Sequence, residues 1–497
     1  MSGPASAEQT HSLHHRPPLW VLRTQPLDRD CTCHSTGSPG PASGVRARPA
    51  GAIRGTQPVW NEVSRTKELW RQLCLRRWSS YKAPQMTLGT QTWKEYYLCR
   101  SELEFRMESG RPEKDFICKA IAGHDGGIDE LAYISTNECR FDGQEKSVVC
   151  TVSSDSTVRA WDVQEGTEVW SSPLQPAALV NLAAYPQLQL VVTVDKRGLI
   201  KTWKAENGRE WASFSLPTSS SALQACDHPE TPFLLVASAE GVMYALTVPQ
   251  LQLLSWTSVF PSSPTSLLCS PDGQWVFAST QDSDLGPKVF YTQSLLCVVE
   301  DEPPVSTTLP VLLTSRACWA PDETARLMVM HRNSDNMRLA ITTYELGTKQ
   351  SRKVQQIASF LLPDTMMPPH LMKGHGSQVV LLVSGLELVL FTIQGLQLAA
   401  FQDHQKPITS MWVDQSRVLT ASFDLSLRVY MWNKENKFPV LKSCYHLLGG
   451  SHRWASGFTH VESDSVSIVG VEARSVGTSI LRSYCFNVQH GSDDCVD

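Results

Sequence analysis

Most of the chain consists of short apolar runs separated by turn residues at fairly even intervals. From Phe116 onward, runs rich in Val, Leu, Ile and Thr alternate with clusters of Gly, Pro, Asp and Ser. Runs of this length and composition are typical of short β-strands. We therefore predict an all-β fold for this part of the chain, and the even spacing of the runs indicates a repeat.

The apolar spacing is different between Val59 and Arg106. Four apolar residues fall at positions that share one stripe of a helix: Leu69, Trp70, Leu73 and Cys74. This spacing predicts a helix that ends near Trp78. A second helical pattern follows Gly89, so the segment is expected to supply helices that pack on the β-fold.

The clearest repeat unit runs from Gly123-His124 to Trp161-Asp162, the Gly-His to Trp-Asp signature of a four-stranded propeller blade. Four side chains in this unit can hydrogen-bond in series and close the blade: His124, Ser153, Asp155 and Trp161. A catalytic function for the His, Ser and Asp is the alternative, but a nucleophilic triad needs an exposed oxygen and an oxyanion hole. We interpret the four residues as structural.

Other units are degenerate but retain the strand pattern. Turns at Ser270–Gly273 and Ala320–Glu323 are predicted to join the first two strands of two blades, and Gly374-His375 is interpreted as the opening of another. The repeat predicts a WD-repeat β-propeller of seven or eight blades. The strand from Phe116 to Ile121 is expected to close the ring against the C-terminal strands, because closure removes exposed sheet edges.

Composition divides the chain into four segments. Residues 1–58 are dominated by Pro, Ser, Gly, Ala, Arg and His and show no apolar period, which predicts disorder. A transit peptide is the alternative, although the prolines oppose an amphipathic helix. Residues 59–114 are predicted to be helical, 115–490 to form the propeller, and 491–497 to be a tail.

Charge and cysteine usage narrow the possible partners. A net charge of -5 and a pI near 6.3 provide no basic field for nucleic acid. The most apolar window, Val379 to Ala400, is broken by polar residues and is interpreted as two strands joined by Ser384-Gly385 rather than as a membrane span. The 14 cysteines are scattered and are expected to be buried thiols in a reducing compartment. No secretory signal pattern is present, and we expect a cytoplasmic or nuclear protein.

The sequence lacks the motifs of common catalytic sites. It contains no Gly-rich phosphate loop, no Gly-x-Ser-x-Gly elbow and no His-Glu-x-x-His helix. No catalytic residue, cofactor or metal site is therefore predicted. A propeller enzyme remains an alternative class, and it would require acids or histidines that converge on the central channel.

The order of a Trp-rich helical segment followed by a propeller resembles the F-box and WD-repeat proteins. The resemblance is specific at Trp60–Val63, Glu68–Cys74 and Arg77-Trp78, which are similar to the second half of an F-box. It extends to Thr92–Tyr96 and Trp161–Thr167. Residues 59–114 are accordingly interpreted as a partial F-box followed by a helical linker.

The resemblance implies a non-catalytic substrate-recognition subunit of an SCF-type cullin-RING E3 ubiquitin ligase. Its F-box would dock on the Skp adaptor and thereby on the cullin, and its propeller face would bind a protein substrate for ubiquitination. Five residues are the candidates for the adaptor-binding surface: Trp60, Leu69, Trp70, Leu73 and Trp78.

The sequence departs from the family pattern in two places. An F-box normally opens with a Leu-Pro pair and an amphipathic helix, and neither precedes Trp60. The alternative function is therefore a WD-repeat interaction scaffold that is not coupled to ubiquitination. Relatives that bind phosphate place arginines at positions that here hold Asp129 and Ser154 in one unit and Thr409 and Phe423 in another. A phosphate pocket of that design is not predicted.

Overall fold

The computed structural model describes residues 65–78, 85–135, 138–226, 231–281, 285–297, 303–347, 353–433 and 439–487. Helix α1 spans Lys67–Trp78, α2 spans Trp93–Ser109 and the short α3 spans Thr292–Leu296. None of the described helices is long and apolar enough to cross a bilayer. The segments predicted as disordered (1–58) and as a tail (491–497) lie outside the described residues, as does Trp60.

The β-strands form eight four-stranded antiparallel sheets, which are the blades of a propeller. The first strands of most neighbouring blades contact one another, which places them innermost around the central axis. Most second strands are buried along their whole length, as at Leu190–Asp195. In fourth strands such as Glu210–Ser215, exposed and partly buried residues alternate. The predicted all-β propeller is confirmed, with eight blades.

Blades 1 to 4 follow one another along the chain, and their strands have the following bounds. Blade 1 contains Ile128–Tyr133, Val148–Ser153, Val158–Asp162 and Thr167–Ser171; blade 2 contains Leu179–Tyr185, Leu190–Asp195, Leu199–Lys204 and Glu210–Ser215. Blade 3 contains Ser220–Cys226, Phe233–Ser238, Val242–Thr247 and Leu253–Ser258; blade 4 contains Thr265–Cys269, Trp275–Thr280, Lys288–Tyr291 and Ser306–Thr308.

Blades 5 to 8 complete the ring. Blade 5 contains Leu312–Trp319, Arg326–Arg332, Leu339–Leu346 and Val354–Leu361; blade 6 contains Leu371–His375, Val379–Ser384, Glu387–Thr392 and Gln397–Phe401. Blade 7 contains Ile408–Val413, Arg417–Ser422, Ser426–Asn433 and Val440–Leu448; blade 8 contains Ala455–Ser463, Ser467–Arg474, Ser479–Cys485 and Ile117–Ile121.

The fourth strand of blade 8 comes from the start of the propeller sequence. Ile117–Ile121 pairs antiparallel with Ser479–Cys485, and the register sets Ile121 opposite Leu481. The expectation that this early strand closes the ring is confirmed. Closure between distant parts of the chain makes the ring depend on both ends of the propeller.

Each pair of neighbouring blades shares one cluster of buried apolar side chains. The cluster between blades 8 and 1 contains Ile121, Val163 and Leu481. The cluster between blades 7 and 8 extends beyond the propeller into the helical segment, where it includes Trp78 and Tyr96. The helices therefore share a hydrophobic core with two blades.

Several local predictions can be compared with the strands. Ser270–Gly273 and Ala320–Glu323 join first and second strands, as predicted. Val379–Ala400 contains the two predicted strands, which are joined at Ser384-Gly385, and also the start of a third strand at Gln397. The interpretation of Gly374-His375 is wrong, because both residues lie at the end of a first strand rather than before it. His375 instead stacks on Trp432 of the next blade, with 3.8 Å between ring centroids.

The expectation of buried free thiols is wrong for Cys99, Cys118 and Cys297, which are exposed, and for two further cysteines that are paired. Cys226 and Cys269 form a disulfide between the ends of the first strands of blades 3 and 4. Their Cα atoms lie 6.2 Å apart, within the range that a disulfide spans. The expectation is wrong for this pair because spacing along the sequence did not show that the two strand ends adjoin.

A short parallel bridge ties the helical segment to the propeller. The strand Gln85–Met86, which follows α1, pairs with Glu138–Cys139 in the loop between the first two strands of blade 1. The main-chain N–H of Thr87 also donates to the carbonyl of Cys139, at 3.1 Å. The linker is thus anchored on the propeller face that carries the turns between first and second strands.

Candidate functional site

Blade 1 contains a hydrogen-bonded series that runs from its third strand to the loop before its first. Trp161 Nε1 donates to Thr151 Oγ1 at 2.9 Å, and Thr151 Oγ1 lies 2.8 Å from His124 Nε2. His124 Nδ1 in turn lies 2.8 Å from a carboxylate oxygen of Asp155. Burial lowers the pKa of His124, although the hydrogen bond to Asp155 and its negative charge act to raise that pKa. The neutral imidazole can therefore donate to Asp155 and accept from Thr151.

Three of the four predicted blade residues belong to this series, and Ser153 does not. Thr151 occupies the position in the series that was predicted for Ser153. The Ser153 hydroxyl instead accepts a hydrogen bond from the main-chain N–H of Asp155, at 3.1 Å. The two hydroxyl residues share one face of the strand, but Thr151 lies one pleat farther from the turn, where the indole of Trp161 can reach it. Thr151 and Ser153 are both 0% exposed, so neither hydroxyl is available as a nucleophile.

Blade 7 repeats the same arrangement. His404 Nδ1 lies 2.9 Å from Asp424, and His404 Nε2 lies 2.8 Å from Thr420 Oγ1. Tyr430 occupies the Trp place, and burial raises its pKa. Burial alone would raise the pKa of Asp424, but hydrogen bonds from His404 and Ser426 outweigh it and lower that pKa. Blades 1 and 7 are therefore closed by internal polar series.

The two hydroxyls of blade 1 provide a matched test of this series. Thr151→Val should destabilise the protein by about 1–3 kcal/mol, because it leaves buried groups of His124 and Trp161 without a partner. Ser153→Ala should cost about 1 kcal/mol or less, since only one main-chain N–H loses its acceptor. Thermal unfolding followed by circular dichroism measures both variants, and a larger loss for Ser153→Ala would reverse the assignment.

The first strands bring together charged groups that the sequence did not indicate. Glu130 of blade 1 and Glu462 of blade 8 are both acted on electrostatically by Lys373 of blade 6. Burial raises the pKa of each carboxyl to about 7, and Lys373 opposes the shift. No group of three or more His, Cys, Asp or Glu residues suited to holding a metal occurs in the described part of the chain.

Helix α2 begins and ends at well-formed caps. Thr92 and Glu95 form a capping box, in which the Thr92 side chain accepts from the Glu95 N–H and the Glu95 carboxylate accepts from the Thr92 N–H at 2.8 Å. Gly110 ends the helix with a left-handed φ of 54°. A Cβ at Gly110 would lie 2.3 Å from the ring of Tyr445, so the helix end sits directly against blade 7.

Trp78 lies in the interior between α1 and α2. Its indole packs edge-on against the Tyr96 ring, with 6.3 Å between centroids, and at a tilt against the Tyr97 ring, with 5.1 Å between centroids. The Arg100 guanidinium lies 4.6 Å from the centroid of the indole. Its Nε1 donates to Glu104. With 8% of its surface exposed, Trp78 holds the helices together and offers little surface to an adaptor.

Three other candidate adaptor residues lie half-buried on α1: Leu69, Trp70 and Leu73. The Trp70 ring lies 5.4 Å from that of Tyr97, and the Lys94 ammonium lies 5.9 Å from it. Their remaining exposure leaves an apolar surface on the helix, beside the exposed residues of its first turn. The structure thus divides the predicted set between an interior position at Trp78 and a partly open helix face.

Helix α2 is joined to blades 7 and 8 and to a loop of blade 1 by hydrogen bonds, in addition to the core that it shares with blades 7 and 8. Tyr445 Oη donates to the carbonyl of Met107 at 2.7 Å, and burial raises the pKa of Tyr445. Tyr96 Oη donates to the carbonyl of Cys139 at 3.1 Å. Arg106 donates to the carbonyl of Phe486 at 3.4 Å. These bonds join both ends of α2 to the propeller.

Arg417 lies at the centre of this junction. Its side chain is 4% exposed, and Nη1 lies 2.7 Å from Met107 Sδ of α2. Nη2 donates to the carbonyl of Asp464, in the turn between the first two strands of blade 8. One guanidinium from blade 7 therefore contacts both the linker and blade 8. The sequence carries no local signal for this function, because the three segments are far apart in the chain.

The segment after α2 is held by a second ionic contact. Asp115 is 3% exposed and accepts from Arg111 and from the hydroxyl of Ser109. Burial would raise the pKa of Asp115, but these hydrogen bonds outweigh it and lower the pKa to about 2. The carboxylate is therefore charged at neutral pH and fixes the chain just before the closing strand.

Two similar proteins are named for an F-box and WD repeats. The chain is 36% identical over 435 residues to human F-box/WD repeat-containing protein 12, covering 86% of this chain and 93% of that protein. The chain belongs to the F-box/WD repeat-containing protein family. It is also 32% identical over 436 residues to mouse F-box/WD repeat-containing protein 15, with the same coverage of both chains.

The fold of this F-box/WD repeat-containing chain also occurs in solved structures. The crystal structure of the computationally designed Ika8 protein matches it with a TM-score of 0.51 at 15% identity, covering 73% of this chain and 98% of that chain. At this identity the likeness concerns the fold alone. No protein-family model matches the sequence.

The propeller of this F-box/WD repeat-containing protein has two different faces. The linker packs against the face that carries the turns between first and second strands, through contacts with Arg417 and the Asp464 turn. The opposite face carries the turns between second and third strands and the loops that connect successive blades. In the described residues this second face is not covered by the helices, and it is the one available to a partner.

Proposed function

We propose that this protein is the substrate-recognition subunit of an SCF-type cullin-RING E3 ubiquitin ligase. The observation that carries the proposal is the junction of α2 with blades 7 and 8, in a chain whose relatives are F-box/WD repeat-containing proteins. A shared core and several hydrogen bonds fix the F-box side of the chain relative to the propeller. Such a connection suits a receptor that must hold a bound protein in a defined position.

The proposed mechanism needs no reactive group in this chain. A substrate held on the open face of the propeller would be kept near a ubiquitin-charged enzyme on the cullin, which raises its effective concentration there. The stiffness of the connection matters because a loose linker spreads the bound substrate over a larger volume. The chain would thus act as a non-catalytic adaptor, in the cytoplasm or the nucleus.

The partners on the linker side follow from the half-buried face of α1. Leu69, Trp70 and Leu73 retain apolar surface there and are the proposed contacts with the Skp adaptor, which would connect the chain to the cullin. We assign Trp78 a positioning function instead, because its indole is enclosed by Tyr96 and Tyr97. Trp60 stays a sequence-based candidate.

A second candidate function is a WD-repeat interaction scaffold that is not coupled to ubiquitination. Two observations favour it. The sequence before Trp60 has no Leu-Pro pair followed by an amphipathic pattern, and Trp78 lies in the interior. In this case the propeller face would still bind a protein, and the linker helices would only stabilise blades 7 and 8.

Adaptor binding separates the two functions. Purified full-length chain would be tested for capture by immobilised Skp adaptor, beside a version in which residues 1–58 are replaced by the missing first half of an F-box. The receptor proposal predicts stoichiometric capture of the natural chain. Capture of the completed version alone would support the scaffold and contradict the receptor proposal.

A pair of variants on α1 tests the proposed contact surface. In whichever version binds, Leu69→Glu should weaken adaptor binding by about tenfold or more, because it places a charge in an apolar contact. Arg76→Glu is the matched control, since Arg76 is exposed in the last turn of the same helix. Equal binding of the two variants would exclude this face of α1.

A further inference from the structure

The loops and turns of blades 7 and 8 on the open face carry three exposed apolar side chains. Phe423 lies in the turn between second and third strands of blade 7, and Val476 in the corresponding turn of blade 8. Trp454 lies in the loop that enters blade 8. Their exposed fractions are 40%, 76% and 55%, respectively. Large apolar groups that cluster in solvent commonly mark interaction sites.

The three side chains belong to one surface. A Cβ at Gly457, three residues after Trp454, would lie 2.4 Å from the Phe423 Cα, so the blade 7 turn lies directly on the start of blade 8. The carbonyl of Trp454 accepts the main-chain N–H of Ser475 at 3.1 Å and its hydroxyl at 3.3 Å. Ser475 immediately precedes Val476. We call Phe423, Trp454 and Val476 the apolar patch.

Hydrogen bonds within blades 7 and 8 hold the loops that present the apolar patch in place. Asp424, next to Phe423, is bound by His404 at 2.9 Å. Glu472 accepts the N–H of Gly450 at 2.8 Å and Arg482 Nε at 2.7 Å, which fixes the loop that leads to Trp454. Fixed loops lose little conformational entropy on binding, which favours affinity.

The part of the apolar patch on blades 7 and 8 is bordered by positive charge, whereas the neighbouring loop that enters blade 1 carries the exposed Asp125. Lys406 and Arg453 are exposed in the loops that enter blades 7 and 8, and the Arg453 guanidinium lies 5.2 Å from the Trp454 ring centroid. Across the described ranges, no ion pair involves either residue. Two carboxylates of these blades are engaged internally, since Asp424 binds His404 and Glu472 binds Arg482.

We propose that the apolar patch with its Lys406 and Arg453 rim docks an unphosphorylated peptide segment that bears a large apolar side chain flanked by Asp or Glu. This inference rests on the proposed receptor function and specifies the chemistry of its substrate. The apolar side chain would bury against Trp454, and its neighbouring carboxylates would meet the rim.

Phosphate recognition fits this surface less well than carboxylate recognition. Bidentate pairing with phosphate uses the planar fork of a free arginine. The rim contains a single arginine, Arg453, and Lys406 offers a single point charge. The blade 7 positions at which phosphate-binding relatives are expected to carry arginine hold Thr409 and Phe423, and Thr409 Oγ1 donates to the carbonyl of Phe458 at 2.7 Å.

A selection from a library of random short peptides, made without phosphate groups, tests the proposal on the purified full-length chain. The enriched peptides should combine an aromatic or leucine residue with adjacent Asp or Glu. The most enriched peptide is then labelled, and its affinity is measured by fluorescence anisotropy for the natural chain and for variants. Trp454→Ala should weaken binding by about tenfold or more, as expected for a central aromatic contact.

Control variants distinguish a loss of binding at the apolar patch from a general effect on the protein. Trp256→Ala is the matched variant, because Trp256 is 64% exposed on the fourth strand of blade 3, away from the apolar patch. It should leave binding unchanged. Arg453→Glu should weaken the acidic peptide by about tenfold and favour a version with Lys in place of its acids. Thermal unfolding of each variant checks that the fold is retained.

Three results would overturn the inference: enrichment of basic or purely polar peptides, no enrichment at all, or equal losses for Trp454→Ala and Trp256→Ala. A peptide that binds only after phosphorylation of an added Ser would also contradict it. Failure of adaptor capture, by contrast, bears on the receptor proposal alone. Peptide binding without adaptor capture would leave this surface valid and remove only its connection to ubiquitination.

Discussion

Replacing Ile121 with aspartate is expected to prevent stable closure of the ring. Ile121 is 4% exposed on the closing strand and belongs to the cluster shared by blades 8 and 1. An ionised carboxylate there would lack a partner and would displace apolar contacts with Val163 and Leu481. We expect a loss of about 4 kcal/mol or more, seen as a sharply lower unfolding midpoint or as insoluble protein.

The neighbouring residue provides the control for this prediction. Ala120 lies on the same strand but is exposed, because successive residues of a strand face opposite sides. Ala120→Asp should change the free energy of unfolding by about 0.5 kcal/mol or less. If both substitutions had equally small effects, the strand Ile117–Ile121 would not be a structural part of blade 8.

Replacing Arg417 with alanine should have the second large effect, at the junction between the linker and the propeller. The change removes a buried cation that contacts Met107 and the carbonyl of Asp464. It leaves a cavity and an unsatisfied carbonyl, at a cost of about 3–5 kcal/mol. Arg76→Ala, at an exposed position on α1, should be close to neutral. Chemical denaturation of both variants measures the difference.

The region that loses stability in Arg417→Ala is as informative as the size of the change in the free energy of unfolding. Because Arg417 joins α2 to blades 7 and 8, Arg417→Ala should loosen the linker before the rest of the ring. Arg417→Lys should not restore the junction. The planar guanidinium of arginine contacts Met107 and the Asp464 carbonyl together, whereas the compact ammonium of lysine cannot contact both. Full restoration by lysine would show that charge alone matters at this position.

Much of the architecture was predictable because blade strands carry a strong local pattern. The Val379–Ala400 window and the turn at Ser270–Gly273 were placed correctly by polarity and turn residues alone. The closing strand was also predictable, because a ring with an unpaired edge would be unstable. The error at Gly374-His375 arose because a Gly-His pair can lie within a strand as easily as before one.

The candidate site was less predictable, since its contacts join distant segments. Thr151 and Ser153 lie two residues apart on one strand face, and only the reach of the Trp161 indole decides between them. Burial of Trp78 depends on how α2 packs, which helical spacing does not show. The apolar patch depends on which loops of blades 7 and 8 adjoin, so no local signal in the sequence could reveal it.

Hydrogen exchange of the full-length chain most directly tests whether the linker and the propeller form one rigid unit. Amides in the middle of α2 should exchange as slowly as those of the second strands of blades 7 and 8, and Arg417→Ala should accelerate α2 first. Rapid exchange along α2 in the natural chain, with slow exchange in the blades, would show that the linker moves independently. That result would contradict the proposed fixed connection between adaptor and substrate.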